Sequence, residues 1–169
     1  GSGALGGIIN VITKDGQFTP RFHVGGGVTP SYSTVNRYFS NNVFLNFGDK
    51  KWYLRVSDSY GKAHDIHTPE GKINNSGFKT NDFSVRAAFK PFVNQIFKVQ
   101  YQRNWSKDVG IPGGAAFPGP ATASYKKIGR ALFDASYEIT NITSVFTSLK
   151  IKYYNQYIIR NVEMTPNTT

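Results

Sequence analysis

The sequence predicts an all-β protein: an antiparallel, up-and-down transmembrane β-barrel, which the family resemblance given below implies is partial. Three observations predict it. Apolar and polar residues alternate along most of the chain, which places them on opposite faces of strands. The alternating runs are longer than the five or six residues usual in soluble sheets and suit a tilted strand crossing a bilayer. Short and long connections alternate after the first pair, as in barrels with tight turns on one side and long loops on the other. The composition agrees: aromatic residues make up 15%, with 10 Tyr and 13 Phe, and these residue types favour strands.

Seven strands are expected, over residues 18–29, 34–47, 51–62, 79–90, 95–107, 125–138 and 142–160. In the third, Trp52, Leu54 and Val56 share one face and Tyr53, Arg55 and Ser57 the other. In the fourth, Phe83, Val85, Ala87 and Phe89 oppose Asp82, Ser84, Arg86 and Lys90. In the fifth, Phe97, Val99 and Tyr101 oppose Lys98, Gln100 and Gln102. In the sixth, Ala131, Phe133, Ala135 and Tyr137 oppose Arg130, Asp134, Ser136 and Glu138. The last sets Val145, Leu149, Ile151, Tyr153 and Tyr157 against Ser144, Ser148, Lys150, Lys152 and Gln156.

Tight turns are expected at 48–51, 91–94 and 138–143, and long loops at 63–78 and 108–124. A soluble sheet and a membrane barrel give the same alternation, with the apolar face meeting a core in one and lipid in the other. Trp52, Tyr53, Phe92, Phe97, Trp105, Tyr137 and Tyr157 fall near expected strand ends, where a barrel carries its aromatic girdles. The same residues are also simply good strand formers.

The net charge is +10 and the pI about 9.8. The Lys and Arg are scattered at alternate strand positions, with no basic run or basic helix, so no nucleic-acid partner is expected. With no cysteine, disulfides, thiolate metal sites and a cysteine nucleophile are excluded. No run of about 18 apolar residues marks a transmembrane helix. No Ser-His-Asp set, carboxylate pair or phosphate loop stands out. The chain is therefore not expected to be an enzyme, and no cofactor or metal is expected.

The first six residues, Gly1-Ser2-Gly3-Ala4-Leu5-Gly6, match G-x-G-x-x-G. A dinucleotide site needs a strand before and a helix after this motif. Here the motif leads into the short β run Ile8-Ile9-Asn10-Val11-Ile12, with Pro20 soon after. The nucleotide reading fails on context.

Extended to Gly1-Ser2-Gly3-Ala4-Leu5-Gly6-Gly7-Ile8-Ile9-Asn10-Val11-Ile12-Thr13-Lys14, the segment resembles the end of the plug domain in TonB-dependent outer-membrane receptors. There a pattern of the type Y-G-S-x-A-x-G-G-V-I-N-I-I-T-K precedes the first barrel strand. The rest of the chain matches that family only in its strand pattern. The resemblance implies a barrel of about 22 strands closed around a plug, of which this chain holds the last plug strand (1–14) and about seven wall strands (15–169). Gly3, Gly6, Gly7, Asn10 and Lys14 would form the plug–barrel joint. The chain is then expected to be a piece of a longer protein in the bacterial outer membrane. The parent would take up a scarce ligand such as a ferric siderophore, haem or cobalamin, driven by the TonB complex through a segment outside this chain. Outer-membrane lipid would be a further partner.

Position along the chain marks candidate ligand contacts. His64, Asp65 and His67 lie in the first long loop. An i, i+3 histidine pair chelates best on a helix, and Pro69-Glu70-Gly71 argues against one. Pro112 and Phe117 belong to an uncharged Gly/Pro-rich loop that is either a lid or a spacer. Arg55, Arg86 and Arg130, with Lys98, Lys150 and Lys152, fall on the polar face. There they either attract an anionic ligand or pair with acidic groups of the plug. Two other readings are a passive porin-like or adhesin barrel and a soluble β-sheet binding module.

Overall fold

The structure is a computed structural model and describes residues 14–112 and 121–167. Nine strands form, in chain order: β1 (His23–Ser33), β2 (Tyr38–Gly48), β3 (Trp52–Ala63), β4 (Ile66–Thr68), β5 (Gly71–Ile73), β6 (Phe78–Phe89), β7 (Gln95–Ile111), β8 (Ala121–Thr140) and β9 (Ser148–Pro166). No helix occurs among the described residues. Seven strands make one sheet in the order β1-β2-β3-β6-β7-β8-β9, and β4-β5 is a separate small hairpin. Every pairing is antiparallel between neighbours in the order. This is a meander with open outer edges at β1 and β9 among the described residues.

All seven expected strands are present, with shifted bounds. The first begins at His23 rather than at 18 because residues 14–19 lie across one face of the sheet, and the chain joins the ladder only after Phe22. The last begins at Ser148 rather than at 142. Before it, Asn141 donates its N–H to the Thr147 carbonyl at 2.8 Å, and Thr143 to that of Phe146 at 2.9 Å. Thr143 Oγ1 also accepts the Val145 and Phe146 amides. These bonds, with Asn141 at a φ of 54°, hold a wider turn than the expected one. In the second long connection β7 runs on to Ile111 and β8 starts at Ala121. The strands therefore extend into residues read from sequence as loop.

One end of the sheet carries the turns 49–51, 90–94 and 141–147. The other carries the turn 34–37 and the longer connections 64–77 and 112–120. The two faces differ. The row Trp52, Phe89, Phe97, Tyr137, Ile151 runs across five strands at the turn end. Above it come Leu54, Ala87, Val99, Ala135, Tyr153, and then Val56, Val85, Tyr101, Phe133, Asn155. Cross-strand partners share a face, so these rows form one apolar surface. No layer of the described chain covers it: Leu45 is 47% exposed and Ile151 60%. Among the described residues only Tyr53, Ala63, Ala88, Arg86 and the glycines Gly48, Gly61 and Gly129 are buried. A soluble sandwich would have hidden the apolar face against a second sheet; here it stays open.

Candidate functional site: connector face and loop-end cleft

The other face is crossed at its turn end by residues 14–19, while Phe22 comes to lie beside Trp52 of the apolar face, with ring centroids 6.2 Å apart. Gly16 lies against the Tyr53 ring, where any side chain would overlap it. Phe18 meets the same ring edge-on at 5.0 Å, and the Lys90 ammonium sits 3.9 Å from the Phe18 centroid. The Thr19 amide donates to the Asp49 carbonyl at 3.2 Å. This connector is what buries Tyr53, at 3% exposure.

Arg86 anchors the segment. Its guanidinium donates to the Lys14 carbonyl at 2.8 Å and to Asp15 Oδ1 at 3.4 Å, and the residue is 5% exposed. Lys98 Nζ approaches Asp15 Oδ2 at 3.6 Å. Arg55 stands directly opposite Arg86 in the register. Its guanidinium donates to Asn46 Oδ1 at 2.7 Å and lies 4.4 Å over the Phe44 ring. Arg130 donates to Gln156 Oε1 at 3.0 Å. Lys152 pairs with Asp134 at 2.9 Å and Lys150 with Glu138 at 3.1 Å. Each basic residue expected on the polar face thus lies there with a partner supplied by the connector or the wall. A cavity of about 630 Å³ remains between them, lined by Lys14, Asp15, His23, Asn46 and Arg55 among others.

At the loop end, residues 64–77 fold into the β4-β5 hairpin rather than an open loop. Asp65 organises it: Oδ1 accepts the Ser76 amide at 2.9 Å and the Gly77 amide at 3.1 Å, and Oδ2 meets Lys72 Nζ at 3.0 Å. The Lys72 ammonium and then the Ser76 amide hold its carboxyl below the ordinary aspartate value of 3.8. The amides of His64 and His67 donate to the carbonyls of Asn36 and Val35 at 2.9 and 2.8 Å, docking the hairpin on the β1-β2 turn. Asn75 ties its far side to β7 and β8 through the Ile111 and Ala123 carbonyls.

The result is a cleft of about 620 Å³ whose lining includes Arg37, His64, Asp65, His67, Lys72 and Asp108. It brings together the three loop residues singled out from sequence. Pro112 is exposed at the end of β7. Phe117 lies outside the described residues, as do Gly3, Gly6, Gly7 and Asn10. No group of three or more metal-ligating His, Asp or Glu occurs among the described residues. The cleft offers imidazoles, cations and carboxylates at a wet surface, which suits a polar ligand held by hydrogen bonds and charge. Asp15, Asn75 and Ser76 were not anticipated. For Asn75 the cue is the run Asn74-Asn75-Ser76-Gly77, a turn-forming composition that lets Asn75 take a φ of 57°.

No protein-family model and no curated protein matches the chain in sequence. Its fold is similar to part of a solved structure described as copper transporter OprC, with a TM-score of 0.61 at 14% identity. The match covers 88% of this chain and 21% of that one. The chain therefore spans about a fifth of the length of the transporter it resembles. The architecture defined by fold and faces is that of an unclosed, single-layer antiparallel meander with one apolar face.

Proposed function

We propose that this chain is part of a bacterial outer-membrane receptor for energy-coupled, TonB-dependent uptake of a scarce ligand. Residues 1–14 would end the plug and 15–169 begin the barrel. The observation that carries the reading is the two-faced, single-layer meander, apolar on one side and crossed on the other by the segment that comes after the plug-like motif. Lipid would cover the apolar face, and the connector face would line a plugged lumen. The chain's part is binding and passage, with no catalytic step. His64, Asp65 and His67 would contact the ligand at the mouth. Arg86 and Lys14 would hold the plug–barrel joint in place. A ferric siderophore, haem or cobalamin is the proposed cargo class, and TonB the energising partner.

The test is uptake of each labelled ligand by cells producing the full-length protein, with and without a functional TonB complex. Uptake of one ligand that stops without TonB is expected. Passage of small solutes irrespective of TonB would favour a passive pore. A monodisperse, detergent-free protein with its apolar face packed would favour a soluble module.

A further inference from the structure

The turns 90–94 and 141–147 carry the most exposed large apolar side chains among the described residues. Val93 is 105% exposed and Val145 83%, and Phe92, Ile142 and Phe146 are open beside them. The two turns are joined. The Thr140 amide donates to the Asn94 carbonyl at 2.8 Å, and the Asn94 side-chain amide donates to the Thr140 carbonyl at 3.0 Å. A contiguous apolar patch of this kind marks a contact surface.

The backbone of these turns is largely satisfied from within. The amides of Asn141 and Thr143 donate to the Thr147 and Phe146 carbonyls, and those of Val145 and Phe146 to Thr143 Oγ1. The Gln95 amide donates to the Phe92 carbonyl at 3.3 Å. A turn in bulk water has no need of this, whereas one against lipid does.

Height decides what covers them. Going up β7 from this end, the first charge on the apolar side is Arg103. Below its register row β6, β8 and β9 carry no charge on that side, and the amides there are Gln95 and Asn155. Val93 and Arg103 lie about ten residues apart, or about 33 Å at about 3.3 Å per residue. At a barrel tilt of about 40° that is about 25 Å of height, the full lipid-facing band of a barrel. Were the band to start higher, at the aromatic row of Phe97, Arg103 would stand about 15 Å up, close to the midplane. A guanidinium is least tolerated there. At the upper boundary Arg103 is well placed: it donates to Asn81 Oδ1 at 3.3 Å and lies 5.2 Å from the Trp105 ring centroid. Asp58, in the same register row on β3, stands about 20 Å above its own turn and accepts from the Asn81 amide at 3.0 Å.

From the row Trp52, Phe89, Phe97, Tyr137, Ile151 the turns reach progressively further, to 49–51, 90–94 and 141–147. That stagger is what a tilted wall needs to bring its turns to one level. The turn 49–51 holds Asp49, Lys50 and Lys51 and has no apolar tip, so the surface is confined to the other two.

We infer that the turns 90–94 and 141–147 are seated in the membrane, with Phe92, Val93, Ile142, Val145 and Phe146 at the boundary of headgroups and acyl chains in the leaflet at the turn end. The inference rests on the outer-membrane reading above and sets the depth of the segment in the bilayer. A protein partner on the tips would leave Arg103 near the midplane.

The test places single cysteines, carrying an environment-sensitive fluorophore, at Val93, Val145, Val99 or Glu70 of the full-length protein. Each is measured in native outer membranes and in phosphatidylcholine vesicles containing nitroxide lipids labelled at the headgroup or at mid-chain. Heat-modifiable migration checks that each variant is assembled. Val93→Cys and Val145→Cys should be quenched by the headgroup nitroxide and shielded from aqueous iodide. Val99→Cys should be quenched by the mid-chain nitroxide, and Glu70→Cys, on the hairpin at the loop end, by iodide alone. Iodide quenching at Val93 and Val145 equal to that at Glu70 would overturn the inference. So would shielding in native membranes that is lost in vesicles, which would mean that a protein covers the tips. Val99→Cys separates the two levels of failure. If mid-chain nitroxide does not reach it, the membrane reading fails; if it does while Val93 and Val145 stay open to iodide, only this inference fails.

Discussion

Gly110 of β7 lies so close to Asn75 that a methyl group there would overlap the Asn75 carbonyl oxygen. The Gly110 amide donates to the neighbouring Gly77 carbonyl at 3.0 Å, and the Asn75 side chain donates to Ile111 and Ala123 at 3.0 and 2.7 Å. The hairpin roof over the loop end is therefore fastened to the wall at one tight seam.

Gly110→Ala should pry that seam apart, because the clashing atom is backbone and cannot swing away. Asn75→Ala should weaken it by about 1–2 kcal/mol, through two lost hydrogen bonds at a half-exposed site. Faster amide exchange at Gly77 and Gly110, and faster protease cleavage within 64–77, are the expected readouts. Unchanged protection in both variants would contradict the seam.

The roof should also be acid-sensitive. Asp65 has its folded-state pKa lowered below 3.8 by Lys72 and the Ser76 and Gly77 amides. A depressed carboxylate contributes stability that is present above its unfolded pKa and lost as pH falls through the folded one. The hairpin should thus hold from neutral pH down to about 4 and loosen below that value. Amide exchange at Ser76 and Gly77, corrected for intrinsic pH effects, measures this. Asp65→Asn should weaken the hairpin at neutral pH and flatten the profile.

Arg86→Met should release the connector. The change removes charge-assisted hydrogen bonds to the Lys14 carbonyl and Asp15, at a cost of about 1.5–3 kcal/mol. Relief of the opposed Arg55 offsets part of this, and Arg86→Lys should recover some of it. Tryptic cleavage after Lys14 at a rate no greater than wild type would rule the anchor out.

Val99→Arg tests the apolar face. In a bilayer, arginine at mid-strand costs about 2–4 kcal/mol. The adjacent Lys98→Ala, on the connector face, should cost far less. Heat-modifiable migration of the protein from membranes reports assembly. A Val99→Arg protein that assembles as well as wild type would mean that lipid does not cover this face.

Much of the sheet was legible because alternation is a local signal. Trp52, Leu54 and Val56 declare a face without reference to any partner. What depended on pairing was not legible. Lys62, Lys79, Lys107 and Lys127 look scattered along the chain, and only the register aligns them. The expected first strand starts five residues before the observed one. In fact Phe18 packs on Tyr53 and Pro20 has no N–H for a ladder. The β4-β5 hairpin was hidden by its length. The candidate residues His64, Asp65 and His67 could be named from sequence, but the docking of that stretch on Asn36 and Val35 could not.

The open flank of β9 has a consequence for handling the protein. β9 spans Ser148–Pro166, 19 residues, and its side away from β8 offers a long line of backbone donors and acceptors. β1 offers another at the opposite side. Such flanks template pairing with other chains. Molecules of this segment produced in isolation should therefore add flank to flank into extended ribbons that deepen thioflavin fluorescence, and a synthetic peptide of 148–166 should seed them. In the proposed receptor, strands paired beside β1 and β9 would act, in this sense, as intramolecular chaperones against polymerisation.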